Sequence, residues 1–348
     1  MEKIKKIPLE KALGLPLAHD ITEVNVDKKS KIRAFKKGHI IKDIDLERLR
    51  RLGKNEIYVL SLTPEQIHED EAAVEMAQAF AGHYTAYEPE PREGKINFFA
   101  QKDGLLEIDT EKLLAINMLG GPSCVTKPQN LPVCQGTMIA STRIIPLFCK
   151  RKTIKQAVKI ANKTGLFRIL PFYPKKAGVI ITGNEIYSGK IKDGFLPIIK
   201  KKLSLYRATV ISSTILPDNL DKIIQAIHDF ITFGCETIVL TGGTSVDPDD
   251  LTASAIKKAG GQDFIHGVPL QPGNMLTLAW INNKKSSIPV CAVPAAALFY
   301  PHTSFDVFLP RLLVGKKPTP KEIAALGLGG LCNFCQTCIY PLCSFGRG

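Results

Sequence analysis

Short apolar strand patterns alternate with helical patterns across residues 175–315, and this alternation constrains the fold more than any other feature of the sequence. The strand patterns are AGVIIT, RATVISSTIL, CETIVLT and IPVCAVP. The helical patterns are GFLPIIKKKLSLY, DNLDKIIQAIHDFITFG, DDLTASAIKKAGG and, after the last strand, a stretch that Pro301 must break or kink. Strands that alternate with helices form a parallel sheet covered on both faces. The sequence therefore predicts a doubly wound α/β domain over residues 175–315.

The residues before this domain have a mixed pattern that is richer in β-structure. Residues 1–61 combine the helical stretches PLEKALG and IDLERLRRLGK with the strand pattern EIYVLSL. Residues 62–172 open with the helical TPEQIHEDEAAVEMAQAFAG and continue with the strand-like GKINFFAQKDGLLEID and QGTMIASTRIIPLF. We therefore expect a multidomain α/β chain with a mixed, β-containing N-terminal half, the α/β domain, and a cysteine-rich tail at 316–348.

Charge and hydropathy restrict the partners. The net charge is +13, which favours anionic ligands such as nucleic acids or phosphate-bearing small molecules. The basic cluster VDKKSKIRAFKKGH (Val26–His39) lacks the interleaved aromatic residues of single-strand binding, so we do not expect nucleic acid to be the partner. No stretch approaches the roughly 20 apolar residues of a membrane span. We therefore expect a cytoplasmic protein with no membrane partner.

Chemically active residue types concentrate in the turns that follow the predicted strands. These turns are TGNE (Thr182–Glu185), PDN with Asp218, and GGTSVDPDD (Gly242–Asp250). In an open parallel sheet, ligands bind at the carboxyl ends of the strands. Glycine lets the backbone approach a ligand, and helix N-termini present free amides with partial positive charge. We therefore expect Gly242, Gly243, Thr244 and Ser245 to cradle a phosphate.

The same turns carry carboxylates, which would repel a phosphate unless a cation lay between them. Two like charges 4 Å apart cost about 4 kcal/mol at an effective dielectric near 20. Mg²⁺ is commonly held by one or two carboxylates together with substrate phosphates. The alternative is plain helix capping, which suits Asp218 and also Asp247, because Pro248 and Asp250 follow it. Capping does not account for Glu185 or for the paired glycines.

These turns resemble the molybdopterin-binding domain shared by molybdenum insertases (the MoeA and gephyrin group) and molybdopterin adenylyltransferases. TGNE, GGTSVDPDD and QPGN (Gln271–Asn274) occur in that family's order, and IPLEKALGLPLAHDIT resembles the start of the insertases. The resemblance implies a transferase of molybdenum cofactor biosynthesis. Such an enzyme binds adenylated molybdopterin, cleaves its pyrophosphate with Mg²⁺, and places molybdate on the two sulfurs.

The resemblance also assigns roles to individual residues and partners. It implies catalytic roles for the matching acids Glu185, Asp218 and Asp250. It implies cofactor binding for a second set of residues, which comprises Thr182, Gly183, Asn184, Gly242, Gly243, Thr244, Ser245, Asp247, Pro272 and Gly273. It further implies a homodimer that binds an anionic pterin or nucleotide, and a target molybdoenzyme is a further possible partner.

The chain departs from the insertase pattern at several positions. The family's TGDE is TGNE here, KPGKP is QPGNM, LPGNP is VPAAA, and the N-terminal ADGYA motif is missing. Asn184, Gln271 and Asn274 are therefore uncharged where the family has an acid and two lysines. The basic cluster from Lys28 to Lys37 is a candidate to replace the missing positive charge, which charge reversal at Lys36 and Lys37 would test. Two alternatives to an insertase remain: a non-catalytic carrier or chaperone of molybdopterin or the cofactor, and a molybdopterin nucleotidyltransferase.

Four cysteines crowd into the last seventeen residues. Cys332, Cys335, Cys338 and Cys343 have the spacing C-x2-C-x2-C-x4-C. Four thiolates this close can bind one metal centre, although bacterial ferredoxins space the fourth cysteine differently and structural zinc sites separate their ligands into two pairs. The spacing predicts a metal site and leaves open an iron–sulfur cluster, a zinc ion or free thiols.

Overall fold

The computed structural model describes residues 4–25, 30–60, 64–145, 148–162, 164–242, 251–283 and 286–347. The chain divides into two compact units. The first comprises Met1–Gln101, Ile108–Lys127 and Gly136–Arg168, and the second comprises Lys102–Glu107, Pro128–Gln135 and Ile169–Gly348. Two short segments from the first half of the sequence thus belong to the second unit. The four-part division expected from the sequence stays a prediction.

Through residue 171 the described chain is mixed, with short strands between short helices. The elements are β1 (Lys5–Pro8), β2 (Ile21–Asn25), β3 (Ser30–Phe35), α1 (Asp43–Arg51), β4 (Glu56–Val59), β5 (Gln66–His68), α2 (Glu69–Phe80), β6 (Thr85–Tyr87), β7 (Lys95–Ala100), β8 (Gly104–Ile108), α3 (Thr110–Asn117), β9 (Pro122–Thr126), β10 (Pro132–Val133), β11 (Met138–Ile144), β12 (Phe148–Lys150), α4 (Arg151–Ala161) and β13 (Phe167–Pro171). The largest sheet of the first unit has the antiparallel order β6-β7-β11-β9. Helix α2 packs on this sheet through buried Met76 and Phe80. PLEKALG forms only a 3₁₀ turn, Leu9–Ala12.

From residue 175 onward the second unit alternates strands with helices. The elements are β14 (Lys175–Thr182), α5 (Asn184–Tyr187), α6 (Phe195–Ser204), β15 (Ala208–Leu216), α7 (Leu220–Thr232), β16 (Thr237–Thr241), α8 (Leu251–Lys258), β17 (Gln262–His266), β18 (Thr277–Asn282), β19 (Ser287–Val293), α9 (Ser304–Leu313) and α10 (Pro320–Ala325). A 3₁₀ turn, Ala295–Leu298, lies between β19 and α9, and Pro301 separates the two helical pieces. No helix among the described residues is both long and apolar enough to cross a lipid bilayer.

The six strands from residue 175 onward form one sheet of order β15-β14-β16-β19-β18-β17. The first four run parallel, which confirms the predicted α/β class. The antiparallel pair β17–β18 extends the β19 edge and was not predicted. Strand β16 is buried along its whole length, because both faces of the sheet are covered.

Two apolar clusters lie on opposite faces of this sheet. One contains Ile199 of α6 together with Phe305 and Phe308 of α9. The other contains Ile227 of α7 and Ile256 of α8. This two-sided cover is the doubly wound arrangement that the alternating pattern predicts.

The two early segments of the second unit are tied to its later residues by polar contacts. The Lys316 ammonium lies 3.3 Å from the Glu107 carboxylate and 3.1 Å from Asn130 Oδ1. The Arg207 guanidinium lies 2.8 Å from the Asp103 carboxylate. Arg347 donates to the Asn130 carbonyl oxygen at 3.0 Å. Polar and charged groups of residues 102–135 therefore bind to residues after 175 within the second unit.

Candidate functional site

The parallel strands end side by side, which brings three predicted loops to one edge of the sheet. Thr182 at the end of β14 pairs with Leu216 at the end of β15, and Ile181 pairs with Thr241 at the end of β16. Thr241 in turn pairs with Val293 of β19. The TGNE turn, the turn that contains Asp218 and the start of the GGTSVDPDD turn therefore share the carboxyl edge, where ligands of open α/β sheets bind.

Asn184 and Asp218 join the first two of these turns by a reciprocal pair of hydrogen bonds. The Asn184 backbone N–H donates to the Asp218 carboxylate at 3.1 Å, and the Asp218 N–H donates to Asn184 Oδ1 at 3.1 Å. The interpretation of Asp218 as a helix cap is wrong, because the neighbouring Asn219 caps α7 by accepting from the Lys222 N–H at 3.0 Å. Asp218 instead fixes the TGNE turn and leaves one carboxylate oxygen without a hydrogen bond from the described residues.

Glu185 follows Asn184 in the first turn of α5 and is exposed. Asp218 is exposed as well, and neither carboxylate pairs with a basic side chain of the described residues. Acidic groups of this kind have oxygen atoms free to bind a cation. The donor set fits Mg²⁺, which prefers oxygen ligands and retains several waters.

Gly242 packs directly against the start of the TGNE turn. Its φ is +87°, and a Cβ there would lie 2.0 Å from the Thr182 carbonyl oxygen, so only glycine fits. The Thr182 hydroxyl donates to the Thr241 carbonyl at 3.3 Å, and the Thr252 hydroxyl donates to the Gly242 carbonyl at 2.8 Å. The buried Thr182 thus contacts both Thr241 and Gly242 at the end of β16. Gly183, with φ +140°, follows it in the TGNE turn.

The rest of the GGTSVDPDD turn lies outside the described residues. This includes five residues with predicted roles: Gly243, Thr244, Ser245, Asp247 and Asp250. Their roles in binding phosphate and metal stay predictions. The described residues on either side, Gly242 and Leu251, place the two ends of the turn in this domain.

The QPGN turn lies at the same edge, since Thr277 at the start of β18 pairs with Ala292 near the end of β19. Pro272 and Gly273 are buried, and Gly273 has φ +98°, where a Cβ would lie only 2.7 Å from the Ser304 hydroxyl oxygen. The Ser304 hydroxyl donates to the Gly273 carbonyl, and the Ser304 N–H donates to the Pro272 carbonyl at 3.2 Å. The structure thus shows a packing role for Pro272 and Gly273, and ligand contact by them stays a prediction.

The cysteine tail is bonded to the same turn. The Gln271 N–H donates to the Gly330 carbonyl at 2.8 Å, and the Cys332 N–H donates to the Gln271 carbonyl at 2.8 Å. Cys332, Cys335, Cys338 and Cys343 all line one cavity of about 220 Å³ in the second unit. The structure therefore brings the four predicted metal ligands together around one space.

Lys37 of the basic cluster is paired with acids of the first unit, while Lys28 and Lys29 lie outside the described residues. The Lys37 ammonium lies 3.8 Å from the Asp70 carboxylate. The backbone N–H of Lys37 donates to the Asp20 carboxylate at 2.7 Å. Burial lowers the Lys37 pKa. Lys36 lines a surface cavity together with Asp20 and Asp70. Lys37 is therefore committed to contacts within the first unit, which does not favour a role in replacing the missing lysines.

One group that sequence reasoning missed has the spacing of metal ligands. His68, Glu69 and Asp70 place their ligand atoms within 4.8 Å of one another. Both ring nitrogens of His68 are already occupied, because Nδ1 accepts from the Asp70 N–H at 3.0 Å and Nε2 lies 3.1 Å from the Ala18 carbonyl. Burial lowers the His68 pKa to about 4. The neutral ring joins two chain segments and has no lone pair free for a metal.

Comparison with known proteins identifies a domain family for the C-terminal part of the chain. Residues 178–313 match the family described as "Probable molybdopterin binding domain", and residues 6–61 match a family described only as a domain of unknown function. A CinA-like protein of Thermosipho melanesiensis is 29% identical over 42% of this chain, and the molybdopterin molybdenumtransferase of Synechococcus elongatus is 22% identical over 42%. The chain spans only 40% and 38% of the lengths of these two relatives.

A solved structure similar to part of this chain is that of the tungsten cofactor synthesizing protein MoaB from Pyrococcus furiosus. It is 18% identical, with a TM-score of 0.32, and the match covers 42% of this chain and 98% of that one. The family match at residues 178–313 covers the strands and turns that form the carboxyl edge described above.

Proposed function

We propose that this chain, whose residues 178–313 form a domain of the molybdopterin-binding family of molybdenum cofactor biosynthesis, binds adenylated molybdopterin at the carboxyl edge of its sheet and inserts molybdate. The observation that carries the proposal is the reciprocal pair between Asn184 and Asp218, which holds two exposed carboxylates on adjoining turns. Gly242, packed on Thr182, places the start of the third turn beside them.

The edge has a length suited to an extended ligand. From β14 to β18 it spans three interstrand spacings of about 4.8 Å, or about 14 Å. A pterin joined to a nucleotide by a pyrophosphate can lie along such an edge, with TGNE near one end and QPGN near the other. The pyrophosphate then lies at the central turns, where backbone amides of a helix N-terminus and glycines favour an anion.

The chemistry proposed for the acids follows from their exposure and lack of counter-charge. Glu185 and Asp218 would hold Mg²⁺, which neutralises pyrophosphate oxygens when it is bound. The carboxylate of Glu185 or Asp218 would also accept a proton from the attacking water. Water adds to one phosphorus of the pyrophosphate, and the bridging oxygen leaves with the other. The products are AMP and molybdopterin, each of which keeps one phosphate. The pterin is then free to bind molybdate through its two sulfurs.

The test is an anaerobic assay of AMP release from adenylated molybdopterin with molybdate and Mg²⁺. Glu185→Gln and Asp218→Asn keep the size of each side chain and remove its charge. We expect each to lower the rate at least about 100-fold, in the range of lost electrostatic or acid–base groups. The matched control is Asp229→Asn, an exposed acid near the other end of α7, which we expect to leave the rate unchanged.

The results separate the candidate functions. Unchanged AMP release in both acid variants would show that these carboxylates do not act in the reaction. Consumption of a nucleoside triphosphate with unadenylated molybdopterin would indicate a nucleotidyltransferase. The same assay is applied to Asp250→Asn, which removes the charge of the third predicted acid.

One observation favours the carrier as a second candidate. Gln271 and Asn274 are exposed and uncharged in the turn where the resembling insertases have lysines, and the tail is bonded to this turn. Tight molybdopterin binding with no AMP release, in the wild type and in every variant, would establish a carrier.

A further inference from the structure

The segment from Cys332 to Cys343 forms a loop that backbone hydrogen bonds hold at both ends. The Cys332 N–H bonds to the Gln271 carbonyl at 2.8 Å on one side. On the other side the Gly346 N–H bonds to the Gly329 carbonyl at 3.2 Å, and Phe345 is buried in the core of the second unit. The loop is therefore held at both ends before any ligand is bound.

The far part of the loop is fixed on α9. The Tyr340 hydroxyl donates to the Asp306 carbonyl at 2.9 Å, and the Tyr340 ring stacks on His302 with centroids 4.5 Å apart. The Arg347 guanidinium donates to the Pro341 carbonyl at 2.8 Å. These contacts fix the segment that carries the four thiols, all of which line one cavity.

That space is larger than a single ion needs. The cavity measures about 220 Å³ and has apolar walls that include Tyr300, Phe334 and Ile339. The Tyr300 and Phe334 rings contact each other, with centroids 5.7 Å apart. Cys335 and Cys338 are exposed, whereas Cys332 and Cys343 are half-buried. The thiols thus surround a cavity that is lined with hydrocarbon and open to solvent on one side.

The size of the cavity distinguishes between a single metal ion and a cluster. Zinc–sulfur bonds of about 2.3 Å place the four sulfurs of a tetrahedral site about 3.8 Å apart. A cluster of several iron and sulfide ions fills the space between its thiolates and so holds them further apart than one ion does. The cavity of about 220 Å³ that the four cysteines line therefore favours the cluster.

We propose that Cys332, Cys335, Cys338 and Cys343 hold an iron–sulfur cluster in this cavity. Each thiol loses its proton when it binds iron, and the apolar walls limit the access of solvent to the cluster. Because the proposal depends only on the tail and its contacts, it is independent of the reaction proposed at the carboxyl edge.

The test begins with full-length protein purified and reconstituted under strict anaerobiosis with Fe²⁺ and sulfide, and in parallel with Zn²⁺. Iron, acid-labile sulfide and zinc are then measured per chain, together with the visible absorption and the electron paramagnetic resonance of the reduced protein. We expect iron and sulfide in equal amounts, about four of each as in a [4Fe–4S] cluster, and a visible absorption that is lost in air.

The variants Cys335→Ser and Cys338→Ser locate the cluster, and both positions are exposed, so the fold has little reason to change. The control is Cys134→Ser, which removes an exposed cysteine outside the tail. We expect each tail variant to lose at least half of the bound iron and the control to lose none. Stoichiometric zinc without iron, no metal after reconstitution, or iron that is unaffected by both tail variants would overturn the proposal. If a tail variant does not fold, the metal and sulfide content of the wild type still decides between cluster and zinc.

Discussion

Replacement of Gly242 by alanine tests whether the carboxyl edge is assembled as described. A Cβ there would lie 2.0 Å from the Thr182 carbonyl oxygen, and real contacts of this kind are not shorter than 3.0 Å. The two strand ends must therefore separate by at least about 1 Å. This motion weakens the bond from Thr182 to the Thr241 carbonyl and the bond from Thr252 to the Gly242 carbonyl.

The magnitude follows from three contributions. Left-handed backbone costs an alanine about 1–2 kcal/mol, and each weakened hydrogen bond costs about 1 kcal/mol. We therefore expect Gly242→Ala to lower the free energy of unfolding by about 3–4 kcal/mol. The control is Gly260→Ala, because Gly260 has a similar φ of +94° but no atom within 4 Å of its Cβ position. The control carries only the backbone cost of about 1–2 kcal/mol.

The chain contains a single tryptophan, Trp280, buried in β18 of the second unit, and its fluorescence reports the unfolding of that unit. Urea titrations followed by this signal give the midpoint and slope for each variant. Equal losses of unfolding free energy in Gly242→Ala and Gly260→Ala would refute the close packing of Gly242 on Thr182.

Two further predictions concern the first turn of the site and a buried histidine. Asn184→Ala removes one acceptor from the pair with Asp218. Because the pair is exposed, we expect a loss below about 1 kcal/mol in urea unfolding but a clear rise in the Mg²⁺ concentration needed for half-maximal AMP release. Since the pKa of His68 is lowered to about 4 in the folded protein, the unfolded chain binds the extra proton first as the pH falls below about 6.5. His68 should therefore contribute a fall in stability of roughly 2 kcal/mol between about pH 7 and pH 4.5. Circular dichroism of urea unfolding should show a smaller fall in His68→Gln than in the wild type, because His19, whose pKa burial also lowers, remains in both. The same pH dependence in both proteins would contradict the assignment to His68.

The sequence predicted the strands and the edge that carries the candidate site, because burial on both faces leaves continuous apolar runs such as TIVL at 237–240. It did not predict the β17–β18 pair. The residues that join the two strands, GVPLQPGNM at 267–275, contain two prolines and two glycines and resemble an ordinary loop. Their course is determined by packing against Ser304 and by the bridge to the tail, both of which are distant in sequence.

The role of Asp218 could not be read from its neighbours either. Asp218 and Asn219 are both suitable caps for α7, and local sequence does not distinguish between them. The choice depends on Asn184, which is 34 residues away and offers both a donor and an acceptor to Asp218. Contacts between turns of different strands depend on the register of the sheet, which a single sequence specifies only indirectly.

The entry of two early segments into the second unit means that the residues from 175 onward do not make up that unit by themselves. A fragment that begins at Lys175 retains every strand of the six-stranded sheet, yet Arg207 and Lys316 lose the carboxylates of Asp103 and Glu107. Arg347, near the base of the cysteine loop, loses the Asn130 carbonyl. Division of the gene just before Lys175 would therefore separate charged groups that pair within one unit, and we expect the isolated C-terminal fragment to be less stable than the same residues in the whole chain.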